Sequence, residues 1–425
     1  MKSGKLHPQR FLKGEVHDWY RIILGYSDHL VSGLLDEFAL PPRANVLDPF
    51  CGSGTTLVEG MKRGFSVTGL DANPSSCFAA RVKTDWSLEP KALRESLLPL
   101  RREYKKQFES QDHERDSFYR YLAKEAYLGR WISARPARKI VALRRSIKAL
   151  RTPQPYKDAL LLALAAETVN GSSNVKFGPE LYCGKPKRDA AVFPQFTARV
   201  MKMCNDLALV NGTKHGSASI IWGDARDCGA ALGRHRRFDA LISSPPYPTE
   251  HDYTRNSRLE LALFDFVRDR ESLRGIKLQM IRSHTKGVYK DDDDALLVAG
   301  HVVIENLAME IDDRAASKKH GFARLYSRVL REYFGGLKRH FGSLLSVMEP
   351  GAMCAYVVGD QSSYLQVHIP TAKILAGLAV DSGLQHVSTR KWRIRWSTTM
   401  SRNITENILI LRVPGQNQKR AGAIE

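Results

Sequence analysis

The sequence predicts an α/β fold: a doubly wound, Rossmann-like sheet closed by a terminal antiparallel hairpin and interrupted by a mainly helical insertion. Three observations carry this. A short apolar strand, Asn45–Asp48, runs into Pro49-Phe50-Cys51-Gly52-Ser53-Gly54-Thr55-Thr56 and then a helical stretch, Leu57–Arg63. A second strand, Phe65–Leu70, ends in Asp71, nineteen positions after Gly52. Strand, glycine turn, helix and strand are the opening of a nucleotide-binding βαβ unit. Further short apolar runs follow at Ser217–Trp222, Phe238–Ser243, Met353–Val358, Leu384–Arg395 and Asn407–Val413, enough to complete a sheet.

Upstream of the first strand, Tyr26–Leu40 places Leu30, Leu34, Leu35 and Phe38 at helical spacing and stops at Pro41-Pro42. In the turn, Gly52 and Gly54 lack Cβ atoms, so the backbone can bend sharply and approach a ligand, while the next helix presents free N–H groups. Asp71, at the tip of the second strand, is placed to accept hydrogen bonds from both hydroxyls of a ribose. There is no Gly-Lys-Ser/Thr, which argues against a triphosphate-binding loop. Leu57 replaces the third glycine of the dinucleotide fingerprint, and Asp48 would repel a pyrophosphate. A carboxylate there suits a ligand carrying positive charge, such as the amino group and sulfonium of S-adenosylmethionine.

Beyond Asp85 the pattern changes. Glu89–Ala149 is basic, with aromatics at helical spacing, Thr152–Pro155 is punctuation, Asp158–Thr168 is an apolar helix, and Asn170–Arg188 reads as a polar loop. A doubly wound fold joins successive strands with a single helix, so this stretch is an insertion. The expected division is therefore 1–85 and 216–425 for the sheet domain, 86–215 for a basic helical insertion, and 250–335 for a second insertion inside the sheet domain.

Composition bounds the function. The chain has 425 residues, with 65 Lys+Arg against 45 Asp+Glu and a net charge of +20. Usage is that of a globular protein, which excludes collagen-like and wholly disordered chains. No run approaches the ~20 apolar residues of a membrane span, and Met1–Lys13 has no apolar core of a signal peptide. The six cysteines include no Cys-x-x-Cys, so neither disulfides nor a metal site is expected, and the expected location is cytoplasmic. Between Lys91 and Lys214 there are 25 Lys+Arg against 12 Asp+Glu. Such concentration is the footprint of a phosphate-backbone partner, DNA or RNA.

The loop after the fourth strand, Ser244-Pro245-Pro246-Tyr247, carries the chemistry. Two prolines fix φ and remove both N–H donors, so the corner offers carbonyl acceptors in a rigid frame. Ser244 adds an oxygen acceptor and Tyr247 a flat face. A planar heterocycle stacked on Tyr247 could place its NH₂ against Ser244 Oγ and the Pro245 carbonyl, aiming the nitrogen lone pair at an electrophile. In-line transfer of a sulfonium methyl then needs alignment rather than a metal. A base inside a duplex cannot reach such a loop, so the target is flipped or already single-stranded. Asp224, after the third strand, is placed either to accept from an adenine amino group or to cap the next helix. His251, Tyr253, Arg255 and Arg258 are candidates for a wall around the base, and Asp291–Asp294 precede an apolar helix whose dipole they suit.

With these residues in view, the sequence resembles the amino-methyltransferases that modify exocyclic amines of DNA, most closely the N4-cytosine branch. Asp48–Thr56 match that family's cofactor motif, Ser-Pro-Pro-Tyr its catalytic motif, and His7-Pro8 with Phe11 the segment that closes over the methionine end of the cofactor. The resemblance covers roughly residues 7–85 and 217–413. It implies a methyltransferase sheet, S-adenosylmethionine bound by Phe11, Asp48, Phe50, Gly52, Gly54, Thr55, Asp71 and Asp224, and an amine site at Ser244, Pro245, Pro246 and Tyr247. It further implies DNA as substrate, N4-methylcytosine as product, and a restriction-modification setting with a cognate endonuclease as partner. Here the cofactor motif precedes the catalytic one, the reverse of the commonest N4-cytosine order, and the element that reads the target sequence is left unassigned. N6-adenine methylation, RNA amine methylation and a nucleic-acid-binding regulator with a vestigial fold are the alternatives.

Overall fold

A computed structural model of the chain describes residues 15–20, 25–110, 112–177, 181–318, 321–397 and 402–415. Helix α1 (Asp28–Phe38) leads to β1 (Asn45–Asp48), the glycine turn, α2 (Thr55–Lys62), β2 (Ser66–Asp71) and α3 (Pro74–Thr84). The insertion contributes α4 (Pro90–Glu95), α5 (Leu97–Glu109), α6 (Ser117–Lys124), α7 (Ala134–Ala149) and α8 (Gln154–Glu167). It ends with an antiparallel pair, β3 (Val175–Phe177) and β4 (Leu181–Cys183), and α9 (Val192–Val210). The sheet resumes with β5 (Ser217–Trp222), α10 (Cys228–Leu232) and β6 (Phe238–Ser243). The second insertion holds α11 (Tyr253–Asn256), α12 (Arg258–Leu263), α13 (Arg270–Leu278) and α14 (Val302–Ala316). Then come α15 (Tyr326–Leu344), β7 (Met348–Gly359), α16 (Thr371–Asp381), β8 (Gln385–Ser397) and β9 (Arg402–Arg412).

Seven strands form the main sheet in the order β5-β2-β1-β6-β7-β9-β8. The first five are parallel, and β9 runs antiparallel to both β7 and β8. From β1 the chain winds outward through β2 and β5, whereas from β6 it winds the other way through β7. The reversal falls between β1 and β6, and the carboxyl ends of the strands flanking such a switch point are where doubly wound sheets bind ligands. The glycine turn leaves β1 there, and Ser244–Tyr247 leave β6 beside it.

Alternation along each strand builds a core on either face. Val46 of β1, Ile242 of β6 and Ala355 and Val357 of β7 belong to one; Leu47, Leu241, Cys354, Tyr356 and Val358 belong to the other. The first core is continuous with the insertion, through Leu100, Phe118, Leu160 and Phe196 among others. The insertion is therefore packed on the sheet rather than tethered to it. A buried ion cluster fastens it further: Arg144 of α7 reaches Asp116 and Asp265 with its guanidinium and donates from Nε to the Leu263 carbonyl at 2.8 Å.

Local signals explain several boundaries. Ser27 caps α1 by accepting from His29 N at 3.2 Å, and Ala39 closes it in the left-handed region at φ 47° before Pro41-Pro42. Tyr26 thus lies before the helix instead of within it; its apolar ring suits either place in a periodic pattern. The expected polar loop 170–188 holds the β3–β4 pair, whose three-residue strands are too short to show a period. Asn174 organises this loop, accepting from Lys187 N at 2.9 Å and donating to the Arg130 carbonyl at 3.1 Å. Strand β7 begins five residues earlier than the apolar run, at Met348, and Pro350-Gly351 masks that start. Among the described residues no helix is long and apolar enough to cross a membrane.

Candidate active site

A cleft of about 1200 Å³, counted to its open mouth, lies at the switch point. Its lining includes Phe50, Gly52, Thr55 and Asp71 from the first motif and Ser244, Pro245, Pro246 and Tyr247 from the second. Two segments nearly two hundred residues apart in sequence share one cavity because β1 and β6 are paired neighbours.

The cofactor side is a cradle shaped by glycine. Gly52 and Gly54 sit at φ +50° and +87°, and a Cβ on Gly54 would stand 3.2 Å from the Ala80 Cβ. Gly69 in β2 serves the same turn from below, since a Cβ there would meet Leu57 Cδ1 at 2.7 Å and Cys51 Sγ at 2.8 Å. The Asp71 carboxylate accepts from Gly52 N and from Asn73 N, each at 2.8 Å. Burial raises its pKa to about 6, against the opposing pull of those two hydrogen bonds, so it is still ionised at neutral pH. An ionised carboxylate has about four acceptor positions, which leaves two for ribose hydroxyls. The residues present therefore fit an adenosyl group, with Phe50, Ala72, Ala225 and Ile281 as apolar walls.

Three expected cofactor ligands are corrected. Asp48 does not line the cleft. It is fully buried and accepts from Tyr26 OH at 2.8 Å, Ser243 Oγ at 2.5 Å and Phe50 N at 3.2 Å. Burial lifts its pKa to about 6 against these three donors, and its carboxylate ties β1 to β6 and to the segment before α1. Gly54 shapes the turn without lining the cavity. Asp224 faces Arg226, accepting from its Nη2 at 2.6 Å and from its backbone N at 2.8 Å, so the capping alternative holds and the adjacent Ala225 lines the cleft instead. Phe11 and His7-Pro8 lie outside the described residues.

At the amine side, Ser244 Oγ donates to the Val357 carbonyl at 2.9 Å, which commits its proton and leaves its lone pairs to accept. The Pro246 carbonyl accepts from Tyr333 OH at 2.9 Å. Among the described residues no donor is bonded to the Pro245 carbonyl. Tyr247 is buried at the cavity wall, and a Cβ on Gly359 would meet its ring at 3.2 Å.

Other residues of the cleft carry no periodic or motif signal. Tyr20, Gln279, Met280, Ile281, Ser283 and His284 also line it, the last five from the second insertion. His340 supports it from outside: Nδ1 donates to the Ala225 carbonyl at 2.7 Å, Nε2 accepts from Tyr356 OH at 2.7 Å, and its ring meets Phe50 edge-on at 5.1 Å. Burial lowers its pKa to about 4, which keeps it neutral. Of the expected wall, Tyr253 lines the cavity. Arg258 is buried, with Nε donating to the Thr254 carbonyl at 3.3 Å, because α12 packs against the insertion and turns that side chain inward. Asp292, Asp293 and Asp294 are matched by arginines: Asp292 pairs with Arg282 at 2.7 Å, Asp293 with Arg339 at 2.9 Å, and Asp294 with Arg226 at 2.7 Å and Arg339 at 2.6 Å. Side-chain pairing, rather than a helix dipole, balances their charge.

No protein-family model matches the chain. The type II methyltransferase M.BsoBI of Geobacillus stearothermophilus is 24% identical over 412 residues, covering 88% of this chain and 79% of that protein. M.AvaI of Nostoc sp., also a type II methyltransferase, is 21% identical over 382 residues, covering 86% of this chain and 78% of that protein. Among solved structures, the rRNA methyltransferase aviRa from Streptomyces viridochromogenes gives a TM-score of 0.32 at 13% identity, over 93% of this chain and 89% of that one, a likeness too loose to carry weight. Along most of its length the chain is similar to type II methyltransferases, and S-adenosylmethionine is the expected cofactor of the cleft.

Proposed function

We propose that this chain is an S-adenosylmethionine-dependent DNA methyltransferase whose target is the N4 amine of cytosine. One observation carries the reading: the glycine cradle with Asp71 and the Ser-Pro-Pro-Tyr corner line a single cleft. When bound, S-adenosylmethionine supplies an electrophilic methyl on a sulfonium. The protein holds the target so that displacement can occur. Asp71 anchors the ribose, the Pro245 carbonyl and Ser244 Oγ accept from the target NH₂, and Tyr247 offers its ring to the base. Accepting both N–H bonds draws the amine lone pair out of ring conjugation and turns it toward the cofactor, so alignment supplies most of the rate.

Such a corner is reached by a base that has left its stack, so the DNA is bound with the cytosine flipped. The basic insertion, continuous with the sheet core, supplies cations for the phosphates of that DNA. Serine before the prolines, as in the family branch the sequence resembles, favours cytosine, and the type II relatives favour a restriction-modification role beside a cognate endonuclease. The test incubates the protein with S-adenosylmethionine carrying a labelled methyl and with duplex DNA or total RNA, then identifies the labelled nucleoside by mass. Label in N4-methyldeoxycytidine is expected. Label in N6-methyldeoxyadenosine reassigns the base, label in RNA reassigns the polymer, and none in either rejects the enzyme.

A further inference from the structure

The amine corner lacks one component. A nitrogen that gains a methyl must lose a proton, and a serine hydroxyl and an amide carbonyl are feeble bases. Among the titratable side chains that line the cleft, Asp71 is at the cofactor end and is held by Gly52 N and Asn73 N. Burial pushes the Tyr26 phenol and the Cys51 thiol well above their ordinary values, and the other tyrosines of the lining bring phenol hydroxyls rather than ready bases. His284 is the remaining base.

Its position is built with care by the chain around it. Ser283 is tied to the loop just past the Ser-Pro-Pro-Tyr corner: its carbonyl accepts from Glu250 N at 3.1 Å and from Tyr364 OH at 2.8 Å. Thr285 N donates to the Glu250 carboxylate at 3.0 Å. His284 thus sits between two residues clamped to the catalytic loop. A Cβ on Gly287 would lie 2.9 Å from the imidazole Cε1 and 3.1 Å from Nε2, so glycine there makes room for the ring. Nε2 faces Asp252 Oδ1 at 3.7 Å, and the charged or titratable groups around the ring are Asp252, Lys277, His251 and Arg282. A carboxylate beside Nε2 favours the tautomer with its proton on Nε2 and a bare lone pair on Nδ1. Among the described residues that Nδ1 is buried and has no hydrogen-bond partner.

We infer that His284 Nδ1 is the proton acceptor for the target amine, with Asp252 as the group that orients the ring and balances its charge. This rests on the methyltransferase reading above. The N–CH₃ bond forms as the S–CH₃ bond breaks, sulfur keeps that electron pair, and of the two amine protons the one first held by the Pro245 carbonyl passes on to Nδ1 while Ser244 Oγ keeps the other. The positive charge that entered on sulfonium then stands on an imidazolium facing Asp252, and the proton leaves to water when the cleft opens. Burial, aided by Lys277 and Arg282 and opposed by Asp252, holds the His284 pKa down at about 4, so the ring meets the amine as the free base.

Two measurements test this. Long-range ¹H–¹⁵N spectra of the ¹⁵N-histidine protein, with His284 identified by its absence in His284→Gln, are expected to show the Nε2–H tautomer at pH 7; an Nδ1–H tautomer overturns the inference without reference to activity. Single-turnover methylation by His284→Ala is expected to fall about 100-fold, with partial rescue by added imidazole. His284→Gln, which can accept a hydrogen bond but cannot hold a proton, should stay equally slow, while calorimetric affinity for S-adenosylmethionine shifts by no more than about two-fold in either variant. A wild-type rate in His284→Ala, or recovery in His284→Gln, overturns the proposal. A wild-type protein that methylates no nucleobase amine instead overturns the reading on which it rests.

Discussion

The Asp71 carboxylate accepts the Gly52 N–H at 2.8 Å, so the tip of β2 holds the glycine turn that follows β1. The carboxylate proposed to hold the ribose therefore also shapes the glycine turn. Asp71→Ala removes both functions and leaves Gly52 N and Asn73 N without their acceptor. Hydrogen bonds to a charged group are worth about 1.5–3 kcal/mol, so affinity for S-adenosylmethionine should fall about 10- to 100-fold by calorimetric titration. The single-turnover rate at saturating cofactor should change far less; equal losses in both would refute the assignment.

Ser244→Ala should show the opposite split. Its hydroxyl donates to the Val357 carbonyl, and in the proposed reaction its lone pairs accept from the target amine. Removing one preorganised hydrogen bond to a reacting group costs about 100-fold in rate, with cofactor affinity nearly unchanged. Rapid-quench measurement at saturating cofactor and DNA checks this.

The N-terminal segment is pinned through Glu59, which meets His17 Nε2 at 2.9 Å and Lys62 Nζ at 3.0 Å. Burial alone would raise its pKa, but the His17 hydrogen bond and the Lys62 charge outweigh burial and bring it down from 4.5 to about 2. A depressed carboxylate pKa contributes stability that is complete above the unfolded value and is lost as pH falls through the folded one. The urea midpoint of Glu59→Gln should therefore lie below that of the wild-type protein from pH 7 down to about 5, with the gap closing between pH 4.5 and 2. A gap independent of pH would mean the interaction is not ionic.

Arg102 and Lys106 are exposed one helical turn apart on α5. If this face meets the phosphate backbone, reversing both charges weakens DNA binding and lowers the salt slope by about one for each phosphate no longer neutralised. Fluorescence anisotropy across a salt series checks it, and an unchanged slope would place the DNA elsewhere.

The sheet was readable because apolar strands and glycine turns are contiguous signals, and the two motifs fell at β1 and β6 for the same reason. The direction in which a strand-end carboxylate points is not a contiguous property. Asp48 looked available until Tyr26 and Ser243 claimed it, and Asp224 until Arg226 did. The wall from Gln279 to His284 comes from an irregular segment of the second insertion, whose place depends on distant partners such as Tyr364 and Glu250. Likewise, charge counting found the first insertion but could not foresee that its apolar side merges with the sheet core.

Co-crystallisation with sinefungin, which carries an amine where S-adenosylmethionine carries its transferable methyl group, shows whether the glycine cradle and the Ser-Pro-Pro-Tyr corner serve one reaction. The nucleoside ribose is expected on Asp71, with the inhibitor's amine aimed at the space bounded by Ser244 Oγ, the Pro245 carbonyl and the Tyr247 ring. An inhibitor seated away from Asp71, or one whose amine faces away from Ser244 and Pro245, would mean that the cradle and the corner do not act together.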